Sequence, residues 1–168
     1  MSAWIATALC FAGIGYLFWA DRAGTKDVST AVWIPFLWML FAASRFPSQW
    51  WNLGPPTATG ADAYSDGSPI DRNVFLLLIV AGTYVLLRRQ ISWSTLAKNN
   101  VWILLFLVFT FLSVLWADDP FVAFKRWIKG VGNVVMVLVL LTEKRPLDAL
   151  GVVLRRLAFV LVPLSILF

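Results

Sequence analysis

The chain has 168 residues, of which 60% are apolar and 14% are charged, and its mean hydropathy is +0.79. A soluble domain has roughly 45–50% apolar and about 25% charged residues, so this composition excludes an ordinary soluble domain and indicates an integral membrane protein. The net charge is +5 at pH 7, and the absence of histidine excludes a Ser-His-Asp triad, a His base and a His-based metal site within these residues.

Six apolar runs follow one another along the chain. A spanning helix needs about 20 apolar residues, and the shorter runs approach that length when flanking Trp, Arg and Lys are counted as interface anchors. We therefore predict an all-α fold, a polytopic transmembrane helical bundle of five to six spanning helices with a short amphipathic interfacial helix, in a single transmembrane domain over 1–168. The predicted spans are 3–20, 31–51, 73–89, 101–117, 127–143 and 152–168, with an outward loop at 52–72.

The first run contains Cys10, the single cysteine, which we interpret as a small apolar residue of the core or of the lipid-facing surface. A cleavable signal peptide is the alternative interpretation of this run. We prefer a spanning helix because no Lys or Arg precedes the run and because its apolar core is longer than that of a typical signal peptide.

The distribution of cations predicts an orientation. The connections 21–30, 88–100 and 143–156 together carry nine Lys and Arg, whereas 44–73 and 117–130 carry five. Since cytoplasmic loops carry the excess of Lys and Arg, the first three connections are expected in the cytoplasm. The N-terminus and the long loop then face outward.

The long loop is rich in Gly, Pro, Ser, Thr and Asp, which is typical of an extramembrane connection, and Trp50 and Trp51 mark its membrane boundary. Asp71 and Arg72 follow at the start of the third span. Asp71 could cap that helix or belong to a site, and capping is the favoured interpretation.

The stretch WADDPFVAFKRWIKG, 116–130, has the pattern of a helix start, with Asp119 as N-cap and Pro120 at the first helical position. At about 100° per residue, Lys125, Arg126 and Lys129 fall on one arc of the helix. These cations could anchor a helix end to lipid phosphates, contact a protein or lipid, or bind an anionic substrate such as the pyrophosphate of a lipid carrier.

Gly130, Gly132 and Asn133 follow directly. Small residues permit close helix contact, and Asn can form hydrogen bonds across helices. A phosphate-binding loop is the weaker alternative because the spacing does not match a Walker motif. The pattern therefore predicts a helix-packing site.

Three segments resemble the N-terminal half of the bacterial O-antigen ligase and exopolysaccharide polymerase superfamily. They begin at DRAGTKDVST (21–30), GSPIDRNVFL (67–76) and LSVLWADDPF (112–121), and the last continues to Glu143. The resemblance implies a multi-pass protein of the bacterial inner membrane that takes a glycan from undecaprenyl pyrophosphate on the periplasmic side and joins it to a sugar acceptor.

The resemblance also implies roles for individual residues. Arg126, supported by Lys125 and Lys129, would bind the carrier pyrophosphate. Members of the superfamily continue into further helices and a periplasmic loop that carries a histidine in the ligases, so a complete active site is not expected in these residues. Beyond the resemblance, Asp118, Asp119 or Asp71 could orient cations or sugar hydroxyls, and Arg72 is a further supporting candidate.

The sequence thus predicts the N-terminal portion of a metal-independent glycosyltransferase, either a ligase or a polymerase, without a cofactor. Its expected partners are membrane lipid, an undecaprenyl-pyrophosphate-linked glycan, a sugar acceptor and a second membrane chain that completes the fold, but no nucleic acid. The chain ends in the apolar stretch VLVPLSILF, which suggests a fragment or a truncated gene. The alternatives are a non-catalytic membrane subunit or relic, and a transporter or flippase-like protein.

Overall fold

The computed structural model describes residues 3–21, 28–44, 46–50 and 68–167. Within these ranges the chain is all-α, as predicted, and contains no β-strand. Two 3₁₀ turns, Thr30–Val32 and Ser113–Trp116, lie next to helices. The helices are α1 (Ala3–Asp21), α2 (Trp33–Ala43), α3 (Pro47–Trp50), α4 (Pro69–Arg88), α5 (Trp93–Asn99), α6 (Val101–Leu112), α7 (Pro120–Leu141) and α8 (Pro146–Leu167).

Local chemistry explains where the helices begin. Ser68 caps α4 by accepting a hydrogen bond from the Ile70 amide at 3.3 Å, and a proline follows it at the first helical position. Asp119 stands at the N-cap of α7 as predicted, but its side chain makes no capping hydrogen bond. Asp71 is not a cap; that prediction is wrong, because Ser68 already occupies the position and Asp71 lies inside the first turn of α4.

Helices α2, α4 and α7 form the centre of the bundle. Helices α4 and α7 run parallel, since Phe75 lies near Lys129 at one end and Arg89 bonds to Thr142 at the other. Helix α2 runs antiparallel to both, and α8 packs against α1 and α2. We call the two ends of this bundle the Lys129 end and the Arg89 end.

Two apolar clusters hold these helices together. Trp38, Leu78 and Met136 join α2, α4 and α7. The second cluster joins α2 and the turn before it to α7 and α8. Its buried members are Val32, Phe36, Leu140, Ala149, Val153 and Leu157.

The predicted packing role of Gly132 and Asn133 is confirmed. A Cβ atom at Gly132 would lie 2.8 Å from Cζ2 of Trp38, so only glycine admits the indole at this depth. The indole N–H of Trp38 donates to Oδ1 of Asn133 at 2.8 Å. Around Gly130, in contrast, there is open space.

The helices differ from the predicted spans in extent. Helix α2 ends at Ala43, and α3 begins at Pro47, so the run 31–51 is not one continuous helix. Helix α8 begins at Pro146, earlier than the predicted span, whereas α7 begins at Pro120, the first helical position predicted for it. The amphipathic segment and the fifth span form one continuous helix, α7, so the interfacial helix is not a separate element.

Among the described residues, α4 alone is a single helix both long and apolar enough to cross a membrane. Helix α5 and the segment Val101–Trp116 form a bent pair, at 84°, that would count as a second, broken span. Helix α7 has 22 residues, but Lys125, Arg126 and Lys129 interrupt its apolar character.

Candidate functional site

The three cations of α7 lie at the Lys129 end of the bundle. At about 100° per residue, Lys125 and Lys129 align with Gly132 and Met136, which are buried against α2 and α4. The two lysines therefore continue the packed face of α7 beyond the core. Arg126 lies about a quarter turn away, on a more exposed side of the same helix.

Lys129 is held by two aromatic rings from other parts of the chain. Its Nζ lies 5.3 Å from the ring centroid of Phe46 and 5.4 Å from that of Phe75. The two rings meet edge to face, with centroids 6.3 Å apart. Each such contact contributes about 0.5–1 kcal/mol when exposed and more when desolvated, so the two rings position the ammonium group.

The other two cations lie earlier on the same helix. Lys125 Nζ lies 4.5 Å from the ring of Phe121, one turn earlier on the helix. Within the described part of the chain, no carboxylate forms an ion pair with Arg126 or Lys129. Asp118 and Asp119 are exposed before α7, and neither is paired with these two cations. We call Lys125, Arg126 and Lys129 the outer cation group, in which Arg126 and Lys129 are the two cations with no described carboxylate partner.

Asp71 stabilises the position of the aromatic rings that contact Lys129. Its carboxylate is buried and accepts hydrogen bonds from the Ser48 amide at 2.8 Å and from the Ser48 hydroxyl at 2.6 Å. These bonds fix α3 to α4 and thereby keep Phe46 beside Phe75 under the Lys129 ammonium group. Arg72 is exposed, and its supporting role stays a prediction.

The Arg89 end contains an ion pair that the sequence did not indicate. Arg89 and Glu143 form a salt bridge, with 19% and 5% of their side chains exposed. Arg89 also donates to the Val139 carbonyl at 2.7 Å and to the Thr142 hydroxyl at 2.6 Å. The Ser29 hydroxyl donates to Glu143 at 2.6 Å, so the starts and ends of three helices meet here.

A second charged cluster lies at the ends of α1 and α2. The carboxylate of Asp21 forms salt bridges with Arg155 at 2.6 Å and Arg156 at 3.2 Å. The guanidinium of Arg156 lies 4.5 Å from the ring centroid of Trp33. In the sequence these arginines contribute only to the count of cations that predicts the membrane orientation, because their partner Asp21 is more than 130 residues away.

Some cations of the bundle are paired with a carboxylate and others are not. Arg89, Arg155 and Arg156 each contact a carboxylate, whereas Arg126 and Lys129 do not pair with one in the described residues. Unpaired, positioned cations can bind an anion through charge-assisted hydrogen bonds. Among those residues no group of three or more His, Cys, Asp or Glu could hold a metal ion.

The site around α7 thus combines cations, aromatic rings and small residues. Comparison of the chain with known protein families, with curated proteins and with solved structures finds no match.

Proposed function

We propose that the chain is a polytopic bundle of the bacterial inner membrane whose outer cation group binds the pyrophosphate of a lipid-linked glycan. The observation that carries this proposal is the position of two cations at one end of the bundle without a described counter-ion: Lys129, held by two aromatic rings, and the exposed Arg126. A pyrophosphate group offers several charged oxygens at the spacing of neighbouring side chains, which suits Arg and Lys together.

The outer surface of the bundle supports the membrane part of the proposal. No side chain of α6 is buried, although the helix is apolar on all sides. Trp102 is 83% exposed and Leu115, in the turn that follows, is 79% exposed. Water disfavours an apolar surface of this extent, whereas a bilayer accepts it.

The lengths of the helices fit the same interpretation. Helices α1 and α4 have 19 and 20 residues. At 1.5 Å per residue they are about 28–30 Å long, close to the thickness of a hydrocarbon core of about 30 Å. The packing of the helices against one another favours several spans rather than one.

The resemblance to O-antigen ligases and exopolysaccharide polymerases suggests the reaction. An acceptor sugar hydroxyl would attack the anomeric carbon of the glycan, and undecaprenyl pyrophosphate would leave. Arg126, Lys125 and Lys129 would stabilise the charge that develops on the leaving pyrophosphate. Further residues of a longer chain, or a second membrane chain, would supply the groups that activate the acceptor.

The test is the binding of undecaprenyl pyrophosphate to the full-length protein in nanodiscs. Hydrogen bonds to charged groups contribute about 1.5–3 kcal/mol, so Arg126→Gln should weaken binding about ten- to hundredfold. The matched control is Arg88→Gln. Arg88 is also exposed, but it lies at the Arg89 end of the bundle, away from the outer cation group. Equal binding by wild type and Arg126→Gln would show that the cation only anchors the helix.

Activity and topology give independent tests. In cells, Arg126→Gln should abolish glycan transfer while the amount of protein in the membrane stays unchanged. A reporter fused within 54–66 should be periplasmic. A cytoplasmic reporter would place the outer cation group on the wrong side of the membrane for this reaction.

A further inference from the structure

The cluster at the ends of α1 and α2 carries more positive than negative charge. Arg155 and Arg156 share the carboxylate of Asp21, at 2.6 Å and 3.2 Å. The carboxylate is 4% exposed, whereas the side chain of Arg155 is 47% exposed. The negative charge is thus enclosed, and the surface presents a guanidinium.

The second arginine is held in a fixed orientation. The guanidinium of Arg156 lies 4.5 Å from the ring centroid of Trp33 while its Nε donates to Asp21. The guanidinium is planar and carries five N–H donors. The bond to Asp21 uses the Nε donor, so the terminal N–H groups can donate to a further anion. The side chain of Arg156 is 11% exposed, so it is preorganised rather than freely mobile.

The surroundings of the cluster are aromatic and apolar. Asp21 ends α1 and Trp33 begins α2, and both face Arg155 and Arg156, the tenth and eleventh residues of α8. Trp19 is 68% exposed, Trp33 is 40% exposed and Leu154, next to Arg155 in sequence, is 53% exposed. Tryptophan at a helix end is typical of the headgroup level of a bilayer, which places the arginines beside it near that level and the first turns of α8 outside the hydrocarbon core.

We propose that Arg155, Arg156 and Trp33 form a binding site for the phosphate headgroup of an anionic phospholipid, on the face of the membrane opposite the outer cation group. Basic pockets between spanning helices are suited to such headgroups. The exposed Trp19 and Leu154 would contact the acyl chains, a contact that a soluble phosphate could not use. This inference rests on the part of the proposed function that places the chain in a membrane, and not on the binding of a lipid-linked glycan.

Arg89 shows by contrast why this cluster, and not every arginine at this end, is the site. Its guanidinium binds Glu143 and donates to Val139, Thr142 and Ser29, so its donors are already used within the protein. Arg155 has one described acceptor, Asp21, and about half of its side chain is exposed. An additional anion therefore fits at Arg155 and not at Arg89.

The experiment measures the dissociation constant of phosphatidylglycerol for the delipidated full-length protein in an uncharged detergent, by native mass spectrometry. Arg155→Gln should weaken binding about fivefold, the equivalent of ~1 kcal/mol for one cation near a lipid phosphate. Arg155→Lys should retain most of the affinity because it keeps the charge. The matched control, Arg145→Gln, removes one charge from the start of the same helix and should bind like wild type.

Each other outcome would overturn the inference. Equal weakening by Arg155→Gln and Arg145→Gln would indicate non-specific attraction, and no weakening would show that the cluster is only structural. Displacement of the lipid by an equal concentration of glycerophosphoglycerol, its deacylated headgroup, would show that the ligand is a soluble phosphate. Binding of undecaprenyl pyrophosphate should be unchanged in Arg155→Gln, which separates this site from the outer cation group.

Discussion

Two glycines of α7 give a direct test of the packing at the centre of the bundle. A Cβ atom at Gly132 would lie 2.8 Å from Cζ2 of Trp38 and 3.0 Å from Cδ1 of Ile79. A Cβ atom at Gly130, two residues earlier, would have no atom within 4 Å apart from the adjacent backbone of its own helix. The same substitution by alanine should therefore have opposite effects on stability at the two positions.

The indole cannot easily yield to a methyl group at Gly132. Trp38 is 3% exposed, donates to Asn133 and packs on the ring of Phe75 at a centroid distance of 4.9 Å. Overpacking of this kind costs up to about 3 kcal/mol. The better helix propensity of alanine offsets about 1 kcal/mol, so Gly132→Ala should lose about 2 kcal/mol.

The prediction is measured by thermal unfolding in detergent, followed by circular dichroism. For a chain of this length 1 kcal/mol corresponds to about 2–4 °C in Tm. Gly132→Ala should lower Tm by about 4–8 °C, and Gly130→Ala should raise it by about 2–4 °C. Equal Tm values for the two variants would refute the close approach of α2 and α7.

The remaining predictions concern the polar contacts between helices, and each is measured by the same unfolding experiment. Glu143→Ala should cost about 3–5 kcal/mol, because it leaves the partly buried guanidinium of Arg89 without its carboxylate. Asn133→Ala should cost about 1–3 kcal/mol, because the buried N–H of Trp38 loses its acceptor. Asp71→Ala should cost about 2–5 kcal/mol, because two buried donors of α3 lose their acceptor together.

Matched changes distinguish these contacts from a general loss of packing. Replacing both partners, in Arg89→Met with Glu143→Leu, should restore most of the stability lost in Glu143→Ala, since no buried charge remains. Asp148→Ala is the control for loss of a surface carboxylate, because its contact with Arg145 is exposed and at 3.9 Å. A loss as large in Asp148→Ala as in Glu143→Ala would contradict this reasoning.

Local chemistry made part of the fold predictable. Pro120 predicted the start of α7, and the apolar runs predicted where helices lie. Both signals are readable in the sequence because capping and hydropathy depend on only a few neighbouring residues. Gly132 and Asn133 were predicted as a packing site because small and amide side chains have few other uses within an apolar run. In each case the information lies in neighbouring residues.

Tertiary contacts explain what the sequence did not reveal. Asp71 lies in a first helical turn, where an acidic residue is usually interpreted as a cap. Its partner is Ser48, 23 residues away in sequence, and this contact is visible only in the folded structure. Arg89 and Glu143 are 54 residues apart, and each alone indicates no more than a helix end. Pairing of distant charges depends on how the helices are arranged, which periodicity does not specify.

The face of α7 that packs into the bundle offers the strongest argument about the outer cation group. At about 100° per residue, Lys125, Lys129, Gly132 and Met136 share one face of α7. Glu143, two residues after the end of α7, is paired with Arg89, whereas Lys129 in the first half of the helix contacts only aromatic rings among the described residues. Cations that served only as lipid anchors would lie on the perimeter of the bundle. Lys129, which continues the packed face and contacts rings of two other segments, lies instead where a headgroup between the helices could reach it, which favours a ligand over an anchor for this lysine.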